Sequence, residues 1–171
     1  FNINEQIESI YASFKEEISN KGIEFSFINS LPDNEAIINS DGGKMYAVLI
    51  NLVKNAIKFT NQGAIEIGYN LKKDSEPAEF EFFVNDTGEG IREEQKELIF
   101  ESFRQGSDSL TRNYEGAGLG LAISKAFVEL LGGKIWVETN EENTASGKKR
   151  STTFYFTIPY VKEKIKKNSH G

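Results

Sequence analysis

The segment from Val48 to Thr60 constrains the fold most, because its polar and apolar residues separate onto two faces of one helix. Asn51, Asn55 and Lys58 stand at i, i+4 and i+7, so a helix places two amides and one ammonium group on a common face. The apolar face repeats at helical spacing through Val48, Leu52, Ala56 and Phe59. The pattern predicts a helix that packs its apolar face on a sheet.

The polar face of this helix has the chemistry of a metal and phosphate site. An Asn side-chain oxygen is a hard, neutral ligand for Mg²⁺, which usually takes only one or two protein ligands together with phosphate oxygens and water. Lys58 could meet a phosphate as a point charge. A solvated polar face without any ligand is the alternative interpretation.

A second motif, Asp86-Thr-Gly88-Glu-Gly90, follows a predicted strand. A carboxylate at a strand end can accept a hydrogen bond from an exocyclic amine such as that of adenine. Gly88 and Gly90 lack a Cβ, so their backbone can approach a flat ligand closely. An ordinary Asp-containing turn is the alternative.

A third motif, Gly116-Ala-Gly118-Leu-Gly120, leads into the helical pattern of Ala122–Leu131. A glycine loop that opens a helix suits a phosphate, because unpaired N–H groups and the positive end of the helix dipole face an anion there. A dinucleotide-binding fingerprint would need a strand just before the glycines. Residues 106–115 are polar and turn-like, which disfavours that alternative.

Taken together, the motifs resemble the catalytic, ATP-binding domain of sensor histidine kinases, within the gyrase, Hsp90, histidine kinase and MutL ATPase superfamily. The matching boxes are Asn51–Thr60 (N box), Asp86–Gly90 (G1 box), Phe100–Phe103 (F box), Gly116–Gly120 (G2 box) and the closing strand Ser151–Pro159. The resemblance covers nearly the whole chain. It departs from the family pattern at Ser151, where Gly is usual, and at Ala117, where Thr is common.

The resemblance implies a site for Mg-ATP between the Asn51 helix and a mobile lid. The nucleotide-binding residues that it implies are Asn55, Lys58, Phe59, Asp86, Gly88, Gly90, Ile91, Phe103, Gly116, Gly118, Leu119, Gly120 and Thr153. Among these, Asp86 would bind adenine and Asn55 the metal ion. The catalytic residues that it implies are Asn51, Lys58 and Arg112.

The lid would lie between Ile91 and Glu115, a stretch with only one short helical pattern. Long connections with little structure of their own are usually functional or disordered. In the family the F-box phenylalanines would pack the base of the lid, while Arg104 or Arg112 could reach the phosphates. Local packing and solvated surface charges are the alternatives for these residues.

Length and composition predict one domain. A chain of 171 residues can bury roughly 70% of its unfolded surface, so we expect one core in residues 1–160 and a linker or tail at 161–171. The net charge of −6 argues against nucleic-acid binding. The sequence contains no Cys, which excludes disulfides and thiol catalysis. Without a membrane-spanning run or signal peptide, and starting at Phe1, it is expected to be a cytoplasmic fragment of a longer protein, whose membrane anchoring stays open.

The expected fold is α+β, a two-layer α/β sandwich of the Bergerat ATP-binding type with a mixed sheet and helices on one face. Asp41 is a candidate N-cap for the Asn51 helix, and Asn61-Gln-Gly63 then turns the chain. Another helix is predicted at Glu5–Asn20, before Lys21-Gly22. Strands are predicted at Ile23–Ile28, Ala64–Leu71, Glu79–Val84, Lys134–Thr139 and Thr152–Ile158.

The resemblance further implies transfer of the γ-phosphate to a histidine in two-component signalling. His170, the only histidine, lies in the tail and is not the expected acceptor. The acceptor would belong to a dimerisation and histidine phosphotransfer domain of the same parent protein, before Phe1, and a response regulator receiver domain would be an indirect partner. This fragment is expected to contact neither nucleic acid nor membrane.

Three other function classes share the fold. A gyrase- or MutL-like ATPase needs a carboxylate to activate water, and that position holds Asn51, so hydrolysis should be poor. An anti-sigma serine kinase is less similar in the N box and the closing strand. A nucleotide-binding pseudokinase stays open, because binding does not guarantee turnover.

Overall fold

The computed structural model describes residues 1–74, 76–87, 118–145 and 147–160, and in these ranges three helices and five strands follow one another. The helices are α1 (Ile3–Asn20), α2 (Gly42–Phe59) and α3 (Gly118–Leu130). The strands are β1 (Glu24–Ile28), β2 (Ala64–Lys72), β3 (Glu79–Asp86), β4 (Ile135–Thr144) and β5 (Gly147–Pro159). None of these three helices is long and apolar enough to cross a lipid bilayer.

The five strands form one mixed sheet in the order β1-β2-β3-β5-β4. β1 and β2 are parallel, because α2 connects them, and the other three pairs are antiparallel. Asp86, the last residue of β3, lies opposite Ile65 of β2 and Thr152 of β5. The predicted mixed sheet and two-layer sandwich are confirmed.

The core fills the space between the helices and one face of the sheet. Side chains alternate along a strand, so every second residue of the three central strands faces the helices. The buried ones are Ile65, Ile67, Tyr69, Phe80, Phe82, Val84, Phe154, Phe156 and Ile158. From α2, the predicted apolar residues Val48, Leu52 and Ala56 are buried, and Phe59 is half-buried.

The other face of the sheet carries a row of aromatic side chains. Phe83, Tyr155 and Trp136 occupy neighbouring register positions on β3, β5 and β4, and all three are half-buried. The Trp136 and Tyr155 rings stack with centroids 5.3 Å apart and an interplanar angle of 18°. The row partly shields the backbone of the sheet on the face opposite the three described helices.

Polar side chains cap the amino-terminal ends of the first two helices. Asp41 accepts a hydrogen bond from the Lys44 backbone N–H at 3.1 Å, which confirms the predicted N-cap of α2. The Lys44 ammonium group also contacts the Asp41 carboxylate at 2.6 Å, and this hydrogen bond lowers the pKa of Asp41. α1 begins two residues earlier than predicted, because Asn2 accepts from the Glu5 N–H and caps it.

The last two strands are longer than the sequence predicted. Their register runs from the pair Ile135 and Phe156 to the pair Thr144 and Gly147. Apart from Ala145 and Gly147, the residues from 140 to 151 are polar, so no apolar alternation marks this part of the hairpin. The predicted lid and the tail at 161–171 lie outside the described residues.

A buried polar network joins α1 to β2 at the end of the sheet away from Asp86. The Tyr69 hydroxyl donates to Asn4 Oδ1 and accepts from the Leu31 N–H at 3.3 Å. Asn4 Nδ2 donates to Leu31 O and to Asp33 Oδ1, both at 2.8 Å. Burial raises the pKa of Tyr69. We call this region the Asn4 end of the sheet, and the opposite region, where β3 stops, the Asp86 end.

Candidate functional site

The carboxyl-terminal half of α2 reaches the Asp86 end. It carries the polar residues that the sequence predicted to share one helix face. Asn51 is half-buried, Asn55 is 3% exposed and Lys58 is exposed. Within the described part of the chain, Asn55 Nδ2 has no hydrogen-bond partner. A buried polar atom without a partner costs about 1–3 kcal/mol, so a simple solvated face does not account for this amide.

Asn51 is held by a residue that sequence analysis did not single out. Its Nδ2 donates to Ser124 Oγ of α3 at 3.3 Å, and Ser124 is fully buried. The hydroxyl therefore fixes the Asn51 amide where the two helices meet. Ser124 stands between the buried Leu121 and Val128 on the apolar face of α3. A hydroxyl at helical spacing within an apolar stripe is the signal that could have identified it.

β3 brings a buried carboxylate to the same end of the sheet. Asp86 is 3% exposed, and α2 packs against β3. Thr152, directly opposite Asp86 in the register, is fully buried, and its Oγ1 forms no hydrogen bond to any residue of the described ranges. Thr60, just after α2, also has a buried hydroxyl that forms no hydrogen bond within the described ranges. The Asp86 end thus gathers polar atoms that are out of water and unsatisfied by the described protein.

Thr153 does not join this group. Its register partner is Asn85, whose side chain accepts a hydrogen bond from Thr153 Oγ1 at 2.9 Å on the face of the sheet opposite the three described helices. The register therefore places Thr152 opposite Asp86, whereas Thr153, which was predicted to bind the nucleotide, faces the other side of the sheet. The parity of the strand could have shown this, since Thr152 shares the buried face with Phe154 and Phe156.

The turn after α2 fixes the chain beyond Asp86. Gly63 has a positive φ of 120°, and a Cβ there would lie only 1.8 Å from the Thr87 carbonyl oxygen. Thr87 and Ala64 exchange two hydrogen bonds at 2.9 Å, one through the Thr87 hydroxyl and one through its N–H. Only glycine permits this close approach, so the predicted turn also anchors the residue that follows Asp86.

The remaining predicted residues are placed only in part. Gly118 is the first residue of α3, so a helix begins inside the third motif, four positions earlier than predicted, and Leu119 and Gly120 belong to its first turn. The other predicted residues lie outside the described ranges, and they are Gly88, Gly90, Ile91, Phe103, Arg104, Arg112 and Gly116. The candidate site that the described residues allow us to consider consists of Asn51, Asn55, Lys58, Asp86 and Thr152.

Comparison of the sequence with known proteins finds one ATPase family and several sensor kinases. Residues 40–162 match the family model described as histidine kinase-, DNA gyrase B-, and HSP90-like ATPase. The autoinducer 2 sensor kinase/phosphatase LuxQ of Vibrio vulnificus is 35% identical over 164 residues, which cover 95% of this chain and 18% of that protein. The sensor histidine kinase WalK of Bacillus subtilis is 35% identical over 137 residues, 80% of this chain and 21% of its own length. The chain thus spans about a fifth of these relatives.

Solved structures show the same architecture. The catalytic domain of histidine kinase ThkA is 35% identical with a TM-score of 0.68, and the match covers 94% of this chain and 93% of that one. Full-length ShkA, solved in complex with AMPPNP, is 27% identical with a TM-score of 0.71, and the match covers 94% of this chain and 30% of that one.

Proposed function

Because this chain belongs to the histidine kinase-, DNA gyrase B- and HSP90-like ATPase family and is the catalytic domain of a sensor histidine kinase, we propose that it binds Mg-ATP at the Asp86 end and donates the γ-phosphate to a histidine on another domain. One observation carries the proposal: the Asn55 Nδ2 donor and the Thr152 hydroxyl are buried, and the described residues leave them unsatisfied, at the end of the sheet where Asp86 is buried. Polar atoms in that condition are expected where a ligand completes the hydrogen bonding.

The described residues fit adenine and a magnesium ion. Asp86 accepts from the exocyclic amine of adenine, and the Thr152 hydroxyl can bond the ring or a bridging water. No cluster of three or more His, Asp or Glu side chains occurs in the described ranges, so a metal here depends on the neutral Asn55 oxygen and on ligand oxygens. Bound Mg²⁺ would offset charge on the phosphates during transfer.

The chain's own residues then position and stabilise the phosphates. Lys58 is exposed one turn beyond Asn55 and contributes a cation. Ser124 holds Asn51, which stands where an ATPase of this superfamily would need a carboxylate, so water is not activated there. α3 begins at Gly118, and the unpaired backbone N–H groups of its first turn would suit a bound phosphate. Such a site stabilises phosphoryl transfer by position and charge.

The phosphate acceptor is a histidine on a dimerisation and phosphotransfer domain of the same parent protein. α3 offers a docking face, because Ile123 is 39% exposed, Leu130 is 72% exposed, and Phe127 between them is half-buried. These apolar residues share one side of the helix that begins at Gly118. A response regulator receiver domain would receive the phosphate next; histidine kinase ThkA has been solved with its response regulator TrrA. We place the domain at residues 1–160, a linker at 161–171, and the reaction in the cytoplasm.

Nucleotide binding is tested by isothermal titration calorimetry with and without Mg²⁺. The parent chain should bind Mg-ATP, and Asn55→Ala should weaken that binding on the order of tenfold or more, because a metal ligand is lost. Asn140→Ala removes an exposed amide on β4 and is the matched control. Equal affinity in Asn55→Ala and the parent would contradict the metal assignment.

Phosphotransfer is tested with labelled ATP. The isolated chain should retain no acid-labile phosphate, and adding the histidine-bearing domain of its parent protein should produce it there. Rapid hydrolysis by the isolated chain would indicate an ATPase. Binding without transfer to that acceptor would indicate a pseudokinase.

A further inference from the structure

Lys21, at the end of α1, contacts the end of α2. Its Nζ donates to the Ile57 carbonyl oxygen at 2.7 Å and lies 3.4 Å from the Thr60 carbonyl oxygen. Both acceptors belong to the last turn of α2 or to its C-cap, whose own N–H bonds Ala56 O at 3.0 Å. The last carbonyls of a helix have no partner inside the helix, so this ammonium group satisfies acceptors that α2 cannot satisfy itself.

The backbone of Lys21 is fixed, so the side chain starts from a defined point. The Ile23 N–H bonds Ile18 O at 3.2 Å and the Gly22 N–H bonds Ser19 O at 2.9 Å, which is the bond pattern of a Schellman motif. Gly22 has a φ of 76°, as the motif requires. Ile18 and Ile23 are both buried and supply its hydrophobic contact.

A second contact ties the same corner to the Asp86 end. The Glu24 N–H, at the start of β1, donates to Gly63 O at 3.1 Å in the turn after α2. Gly63 in turn lies against the Thr87 carbonyl, next to Asp86. The corner between α1 and β1 therefore braces the end of α2 through Lys21 and the following turn through the backbone.

The end of α2 that Lys21 contacts is the end that carries the proposed metal and phosphate residues. Asn55 lies two positions before Ile57, and Lys58 follows it directly. The carboxyl end of a helix bears a partial negative charge, which would oppose bound phosphates. An ammonium group on the terminal carbonyls offsets that charge and prevents the last turn from fraying.

We propose that Lys21 is a positioning residue of the nucleotide site, which holds the last turn of α2 so that Asn55 and Lys58 meet the metal and the phosphates. It acts from outside the site, through the Ile57 and Thr60 carbonyls. The nucleotide-binding test of this inference rests on the proposed function. The hydrogen-exchange test of the end of α2 needs no ligand.

The first measurement compares Lys21→Met with the control Lys15→Met, which removes the same charge from α1 at a lysine whose ammonium group lies over Tyr11 at 5.7 Å. Lys21→Met should weaken Mg-ATP and Mg-ADP binding about three- to tenfold, and adenosine binding by less than about twofold, because Asp86 and Thr152 stand on strands. Lys21→Arg keeps the charge and the donors and should restore most of the affinity. Lys15→Met should bind all three ligands as the parent does.

The second measurement is amide hydrogen exchange without nucleotide. The Thr60 N–H should exchange about three- to tenfold faster in Lys21→Met than in the parent, because the last turn of α2 opens more often. Unchanged exchange at Thr60 overturns the proposal whether or not the chain binds ATP. If the parent binds ATP, and Lys21→Met exchanges faster at Thr60 but binds Mg-ATP as tightly as the parent, the proposal is also overturned. Lys21 would then only stabilise the end of α2. If the parent chain binds no ATP, the proposed function is refuted. The exchange rate of the Thr60 N–H then tests only whether Lys21 holds the last turn of α2.

Discussion

The two ends of the sheet both bury polar side chains, but they treat them differently. At the Asn4 end, Asn4 and Tyr69 bond each other, and the Leu31 backbone completes the network. At the Asp86 end, Asn55 Nδ2 and the hydroxyl groups of Thr60 and Thr152 have no hydrogen-bond partner in the described ranges. Two amides nearer the Asn4 end, Gln6 and Asn29, each also keep one unbonded buried oxygen. Both nevertheless donate through their nitrogen to a protein acceptor.

The difference separates polar groups that stabilise the fold from polar groups reserved for a ligand. A satisfied buried network specifies one arrangement of the elements around it, and losing a member leaves its partners unsatisfied. An unsatisfied group costs free energy in the empty protein and returns it when a ligand bonds. Mutations at the Asn4 end should therefore change stability alone, and mutations at the Asp86 end should change affinity alone.

The largest expected effect is at the Asn4 end. Asn4→Ala removes the acceptor of the Tyr69 hydroxyl and the donor to Leu31, and should lower the free energy of unfolding by about 3 kcal/mol. Chemical denaturation measures it, and calorimetry should show unchanged Mg-ATP affinity in the folded fraction. An affinity loss matching the stability loss would mean that the two ends are not independent.

The next effect is at Asp86. Asp86→Asn replaces two acceptors with one acceptor and one donor, and should cost about 2 kcal/mol of ATP binding, near thirtyfold. Chemical denaturation of the parent and the variant separates this loss of binding from any change in the free energy of unfolding at the buried position. If ATP and GTP bind alike in the parent and the variant, Asp86 is only a turn residue.

A smaller and sharper test exchanges neighbouring threonines. Thr152→Val removes a hydroxyl that has no hydrogen-bond partner among the described residues, and should weaken ATP binding by about 1 kcal/mol at unchanged stability. Thr153→Val breaks the bond to Asn85 and should cost about 1 kcal/mol of stability at unchanged affinity. The opposite pattern would return Thr153 to the nucleotide site.

The smallest effect concerns the amino-terminal cap of α2. The hydrogen bond from Lys44 lowers the pKa of Asp41 below its ordinary value of 3.8, so the stability it contributes is present above pH 3.8 and is lost as the pH falls through the lowered pKa. Asp41→Asn keeps a good N-cap but does not titrate. Urea unfolding from pH 6 to pH 2.5 should therefore show a slightly shallower acid loss in Asp41→Asn. Identical pH profiles in the parent and Asp41→Asn would show that titration of Asp41 does not contribute to the loss of stability in acid.

Much of the fold follows from the sequence, because local rules decide it. The periodicity of α2 and the Asp41 cap act within a few residues, and the structure confirms both. The sequence predicted both strands of the β4–β5 hairpin but not their extension. The polar residues of the extension are held in strands by backbone pairing rather than by burial. At the site, Asn55 was found from helical spacing, whereas Ser124 and Lys21 act through contacts over 73 and 36 residues. The position of Ser124 in the apolar stripe of α3 is a local signal, but neither partner could be identified from residues so far apart in the sequence.

The aromatic row on the face opposite the three described helices has an optical consequence. Trp136 is the only tryptophan of the chain, and its indole stacks on Tyr155 with the thickness of the sheet between it and the buried Asp86 carboxylate. Its fluorescence should respond when the hairpin opens but stay constant when a ligand occupies the other face. Unfolding and ligand affinity can then be titrated separately in one unlabelled sample.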